Sequence, residues 1–163
     1  MTCARLRDGE RGRLTVLRDV QPDDIEVFYG QQADPAANAM AAFPARDRTA
    51  HTAHWQKILA DDSNIARAIV EQGEVVGNVG SWVADGERLI GYWIGREHWG
   101  RGIATRAVAD LVAEIAERPV HACVVEHNRA SIRVLEKCGF KVVGTHQPSG
   151  EPFKEILLRL DAA

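Results

Sequence analysis

The stretch "HWGRGIATRAV", residues 98–108, decides how this chain is read. Gly100 and Gly102 flank Arg101, and small and apolar residues follow at once. Ile103, Ala107, Leu111 and Ile115 lie four apart, with Ala104, Val108 and Val112 beside them. Arg106, Asp110 and Glu114 fall on the opposite face. The spacing therefore predicts an amphipathic helix from about residue 103, stopped by Pro119. The first N–H groups of a helix have no intrahelical partner, and the helix dipole adds positive potential there. Glycines let a ligand come close to the backbone. A flexible, cationic turn directly before a helix thus has what phosphate binding needs. Two familiar phosphate motifs fail. A G-x-G-x-x-G/A fingerprint starting at Gly100 would need Gly or Ala where Thr105 stands. A P-loop starting at Gly95 would need Lys, then Ser or Thr, where Arg101 and Gly102 stand. The other reading of the local pattern is a strand-to-helix turn with no ligand.

Outward from this turn the elements alternate. "RLIGYWIG" (88–95) reads as the strand that enters it, and Asp85-Gly86 before that strand is a hairpin signal. "NIARAIVE" and "VVGNVGSWVA" read as two strands around a turn at Gln72–Gly73, so the middle of the chain is an antiparallel meander. Upstream, "RLTVLRDV" (13–20) reads as a first strand. "QPDDIEVFYGQQA" reads as a helix, with Pro22 early and Asp23 and Asp24 in its first turn. "TAHTAHWQKILADD" (49–62) is a further helix, and the Ala- and Pro-rich 33–46 mixes loop with short helix. Downstream, "VHACVVE" (120–126) is apolar on both faces, as expected of a buried strand. "HNRASIRVLEKCGF" is a helix with Asn128 as N-cap and Gly139 just past its end, where Phe140 can fold back on Leu135. "KVVGTHQ" and "PFKEILLRL" read as the last two strands.

The length, 163 residues, fits one domain over 1–163. A net charge of -3 provides no general basic field for nucleic acid. Cys3, Cys123 and Cys138 are an odd set at unrelated spacings. They read as reduced thiols, two of them in the core, in a cytoplasmic protein. The N-terminal stretch has no apolar signal segment, and no run nears 18 apolar residues, so no membrane partner is expected.

The glycine turn resembles motif A of the GNAT superfamily of acetyl-CoA-dependent N-acyltransferases, (Q/R)-x-x-G-x-(G/A). Trp99, Gly102 and Ala104 take its marked positions, with Trp99 departing from Q/R. "W-G-R-G-I-A-T" is similar to the version in the branch that includes ribosomal-protein N-terminal alanine acetyltransferases. A second block, "N-R-A-S-I-R-V-L-E-K-C-G-F" (128–140), looks like that branch's N-x-x-S-(x)n-L-E-K-x-G-F signature, in the right order and at the right distance. "AHWQKIL" and "VVGNVG" look like the branch too. The resemblance implies a single α/β domain with a mixed, mostly antiparallel sheet of about seven strands flanked by helices. Its strands 88–95 and 120–126 would splay at the acetyl-CoA site.

The resemblance also assigns residues. Backbone groups around Tyr92, Trp93 and Ile94 would pair with the pantetheine arm. The pyrophosphate would rest on the N–H groups of Gly100, Arg101, Gly102, Ile103, Ala104 and Thr105, with Arg101 adding charge and Thr105 a hydroxyl. Asn128 would bond the pantetheine. Arg133 and Lys137, four apart, would meet the nucleotide phosphates or else form a solvated helix face. An amine attacks the thioester directly. A lysine-like amine with pKa about 10.4 costs roughly 4–5 kcal/mol to deprotonate near pH 7, an α-amine only about 1 kcal/mol. The tetrahedral oxyanion needs a donor, such as a backbone N–H on strand 88–95, and the leaving thiolate needs a proton. Many relatives have N-x-x-A-x-x-x-Y, with tyrosine as that acid. Here Leu135 stands at the tyrosine position, and Ser131 replaces the alanine. In the resembled branch such a serine is taken as the acid; helix capping is its structural alternative. Glu126 is the expected base, acting through water, with Glu71 and Glu155 as rivals; a surface carboxylate is the structural alternative for each.

His51 and His54 have metal-like H-x-x-H spacing with no third ligand evident, so a solvated helix face is expected and no metal. Trp82, Trp93 and Trp99 read as core or pocket wall, and Cys123 as packing. Two functions follow. One is an N-acetyltransferase, monomer or homodimer, acting on a peptide or protein N-terminus or on a small-molecule amine. The other is a non-catalytic acetyl-CoA sensor on the same fold.

Overall fold

The computed structural model describes residues 15–163. Cys3 and the first two residues of the strand predicted over 13–20 lie outside them. The described elements run β1 (Thr15–Asp19), α1 (Pro22–Gln32), α2 (Pro35–Ala41), α3 (Arg48–Ala60), β2 (Ile65–Glu71), β3 (Glu74–Ala84) and β4 (Glu87–Ile94). A 3-10 turn (Arg96–His98), α4 (Ile103–Glu114), β5 (Val120–Val125), α5 (Arg129–Lys137), β6 (Lys141–His146) and β7 (Glu155–Leu160) follow. The strands form one sheet in the order β1-β2-β3-β4-β5-β7-β6. Every neighbouring pair is antiparallel except β4 and β5.

That parallel pair is short. Arg88 faces Val120 and Leu89 faces His121, and the pairing then stops. Beyond Leu89, β4 stays bonded to β3 while β5 stays bonded to β7, so a gap opens between β4 and β5. β-strands alternate their hydrogen-bonding direction. Gly95 donates to the Val76 carbonyl on the β3 side. By that alternation Trp93 also turns its backbone to β3, while Tyr92 and Ile94 turn theirs to the gap.

The sheet is covered on both faces, which is why neighbouring apolar residues in β2 part company. Ala68 packs with Phe28 of α1 and Trp55 of α3, whereas Ile69 packs with the cluster that contains Ile103, Val108 and Leu111 of α4 and Leu135 of α5. α4 ends at Glu114, four residues earlier than a stop imposed by Pro119 alone requires. The guanidinium of Arg118 closes the end, donating to the carbonyls of Ile115 (2.8 Å) and Val112 (3.2 Å). α5 ends as its sequence predicts. Gly139 sits at φ 93°, and Phe140 N–H returns to Leu135 at 3.1 Å.

Three expectations need correction. Cys123 is exposed rather than packed in the core, and Cys138 is half-buried. His51 is not on a solvated face: it is 1% exposed, edge-on to Tyr29 and beside Trp55. Burial holds its pKa below the usual histidine value. Trp82 is exposed and lies against Gly91 across the hairpin. Among the described residues no group of three or more His, Cys, Asp or Glu could hold a metal ion. No described helix is long and apolar enough to cross a membrane.

Candidate active site

The gap between β4 and β5 opens into a cleft of about 380 Å³. Its floor is Tyr92, Trp93 and Ile94, one wall is residues 98–105, and the other is the first face of α5. α2 roofs it with Ala37, Met40 and Ala41. The roof is fastened across the gap, where a ring nitrogen of His127 lies 3.0 Å from the Ala39 carbonyl.

Gly100 and Gly102 take φ of 75° and 73°, the left-handed region that a side chain resists. Gly102 is the N-cap of α4, and the first bond into the helix runs from Arg106 N–H to the Gly102 carbonyl at 3.3 Å. The amides of Ile103, Ala104 and Thr105 therefore stand at the cleft wall with no helical acceptor. Trp99 donates its indole N–H to the Ile94 carbonyl (3.0 Å), which pins the turn to the end of β4.

Behind the turn lies Glu71, 5% exposed at the end of β2. Its carboxylate pairs with Arg101 at 2.9 Å and Arg106 at 3.3 Å. Arg106 also donates to the Thr15 hydroxyl (3.0 Å) and the Arg101 carbonyl (3.2 Å). Glu71 thus anchors the glycine turn and does not line the cleft. Arg101 lines the cleft with its charge already engaged by Glu71. Glu71→Gln is expected to cost about 1–3 kcal/mol, below the figure for a fully buried pair because both guanidinium groups reach solvent. The loosened turn should also raise the acetyl-CoA KM more than it lowers kcat. Denaturant unfolding and steady-state kinetics measure both, and a variant unchanged in midpoint and KM would remove Glu71 from this role.

On α5, Asn128 caps the helix by accepting from the Ser131 N–H (3.2 Å). Capping is therefore done by Asn128, and the Ser131 hydroxyl is left for another partner. That partner is the phenol of Tyr92, 2.5 Å away. Val134, one turn on from Ser131, lines the same wall and shares its helix face, a spacing legible in the sequence. Lys137 also reaches the cleft. Arg133 is exposed and outside the lining. Glu126 is exposed at the end of β5, with its amide on the Lys154 carbonyl (2.9 Å), and Glu155 sits on β7; neither lines the cleft. Among the described residues the lining contains no Asp or Glu at all. Residues the motifs did not signal are His98 on the wall and the three α2 residues of the roof.

Beyond α2 a second groove is lined by Ala39, Phe43 and Pro44 together with Glu151 and Phe153 from the loop between β6 and β7. Phe43 stands edge-on to Trp93, with ring centres 5.7 Å apart, which links the groove to the cleft floor.

Known proteins share this fold. The model of the acetyltransferase (GNAT) domain matches residues 13–141. The N-acetyltransferase p20 of Bacillus licheniformis is 32% identical over 145 residues, covering 81% of each chain. Among solved structures, the spermidine N-acetyltransferase of Vibrio cholerae in complex with CoA and spermine is similar with a TM-score of 0.78 at 14% identity, over 91% of this chain and 95% of that one. RimL, a ribosomal L7/L12 alpha-N-protein acetyltransferase in complex with coenzyme A, gives 0.78 at 16% identity, over 91% and 94%. At those identities the two structures establish the fold, and they do not single out the branch that the glycine-turn sequence resembles. With a split β4–β5 pair, a glycine turn of free amides and a family model spanning most of its length, the chain belongs to the GNAT family of acetyltransferases.

Proposed function

We propose that the chain transfers the acetyl group of acetyl-CoA to the α-amine of a peptide or protein N-terminus, by direct attack in a ternary complex. The observation offered for the acceptor class is the groove beyond α2, outside the cofactor path, whose lining is mainly apolar with Glu151 its single acid. A polyamine or aminoglycoside carries several positive charges, and its recognition calls for acids along the pocket. The acceptors named for similar folds include both spermidine and a protein N-terminus, so the fold leaves this choice to the side chains.

The residues fit acetyl-CoA. The free amides of 103–105 suit a pyrophosphate. The unpaired backbone edge at Tyr92 and Ile94 suits an amide-bearing arm, although the Ile94 carbonyl is already held by Trp99. Asn128, Lys137 and Thr105 stand along the same path, whereas the Trp93 backbone turns to β3, its indole N–H donates to the Gln31 carbonyl (3.2 Å), and Arg133 stays outside. When bound, acetyl-CoA supplies an activated acyl group. The oxyanion faces a backbone N–H of β4, Ser131 gives the leaving sulfur a proton, and an α-amine needs only about 1 kcal/mol to lose its own proton near pH 7. Such an acceptor requires no strong base beside the thioester. Glu126, outside the cleft lining, acts through a chain of water.

The test is a side-by-side assay of alanyl- and seryl-peptides, free lysine, polyamines and aminoglycosides with one thioester readout. Peptides should turn over fastest, with a rate that rises with pH and levels off near the α-amine pKa of about 8. Faster turnover of a polycation than of every peptide rejects the acceptor class. Tight acetyl-CoA binding without turnover of any amine would favour the non-catalytic sensor.

A further inference from the structure

The Ser131 hydroxyl is a weak acid for a leaving thiolate, and the structure gives it a partner. Tyr92 rises from the cleft floor with its phenol oxygen 2.5 Å from Ser131 Oγ and 3.2 Å from the Ser131 carbonyl. Its sequence position marks it only as a backbone contact on β4; the tertiary structure brings its hydroxyl to α5. Both residues line the cleft. When the phenol donates to Ser131 Oγ, the serine proton is free to point into the cleft.

We propose that Tyr92 and Ser131 form a two-hydroxyl relay in which Tyr92 replaces the proton that Ser131 gives to the leaving sulfur. The inference rests on the acetyl-transfer reading above and on Ser131 as its acid. As the tetrahedral intermediate collapses, the C–S bonding electrons pass to sulfur, and the sulfur takes the proton of Ser131 Oγ. Ser131 takes the proton of Tyr92, and the phenolate is reprotonated through water by the proton the attacking amine has shed. The sum is one N–H exchanged for N–C and one S–C for S–H, with no oxidant or reductant. The Tyr92 phenol is neutral at physiological pH and enters the step with its proton in place; burial, which pushes it up to about 12, makes it a weaker donor than a free phenol. A phenol is still a better acid than an isolated serine hydroxyl, which is why ending the relay on tyrosine helps. Tyr92 acts through Ser131 and is a positioning and proton-supplying residue, not one that touches the sulfur.

The experiment compares wild type, Tyr92→Phe, Ser131→Ala and the double variant under single-turnover conditions. Hydroxylamine serves as acceptor because so small an amine needs no acceptor pocket. Tyr92→Phe should lower the rate by about 10²-fold with acetyl-CoA affinity within about threefold. The proton inventory in H₂O–D₂O mixtures should be bowed in wild type and straight in the variant. The double variant should be no slower than Ser131→Ala, as for residues acting as one unit. Difluorotyrosine placed at 92 keeps shape and hydroxyl, and should hold or raise the rate even if the phenylalanine variant folds poorly. A loss below about threefold in a folded variant, an unchanged bowed inventory, or a full extra loss in the double variant overturns the relay while Ser131 stands as acid. Wild-type rates in Ser131→Ala, or no thioester cleavage at all, overturn the parent reading and the relay with it.

Discussion

Ser131→Ala is expected to lower kcat by about 10²–10⁴-fold while the acetyl-CoA KM moves little. The size follows from what remains. Leu135, where many relatives carry a tyrosine acid, is buried and has no proton to give. Asn128 already caps α5, so losing the Ser131 hydroxyl leaves the helix start intact. The Tyr92 phenol loses its 2.5 Å partner but can still donate to the Ser131 backbone carbonyl. It therefore remains satisfied, and the fold should survive. Steady-state kinetics with a single-turnover check that chemistry limits the rate measure the effect. A drop below about threefold would leave Ser131 without a chemical role.

Gly102→Glu is the second large effect, and it falls on binding. The residue sits at φ 73°, where a side chain costs about 1–2 kcal/mol. The new carboxylate would lie beside the free amides of 103–105. At about 5 Å from a phosphate charge, with an effective dielectric near 20, repulsion is roughly 3 kcal/mol, or about two-hundredfold in affinity. A Cβ at 102 would meet the Arg106 guanidinium at 3.1 Å, a flexible group that can give way. Gly102→Ala carries the backbone strain without the charge and should lose about tenfold or less. Calorimetry with coenzyme A compares the two in folded protein. Equal, near-native affinities would move the phosphate site away from this turn.

By itself the sequence determined those parts of the protein whose physics is local. α4 follows from four-residue apolar spacing and α5 from Asn128 and Gly139, because caps and helical faces are written within a few residues. Asp85-Gly86 sets the β3–β4 hairpin. The glycine turn before α4 was legible for the same reason, and with it the family. The tertiary structure alone decided which charges and hydroxyls meet. Glu71 reads along the chain like any carboxylate, yet the sheet brings it under Arg101 and Arg106, where it is buried and holds the glycine turn. "VHACVVE" shows no alternation, so nothing in it marks Cys123 as exposed while Val120 and Ala122 are buried. His51 lies on a helix with almost no apolar stripe, and only the packing of α1 on α3 makes it interior. Tyr92 and Ser131 stand on different elements, β4 and α5. Their 2.5 Å contact joins residues 39 apart in sequence, and such a meeting is a property of the whole fold that no single segment encodes.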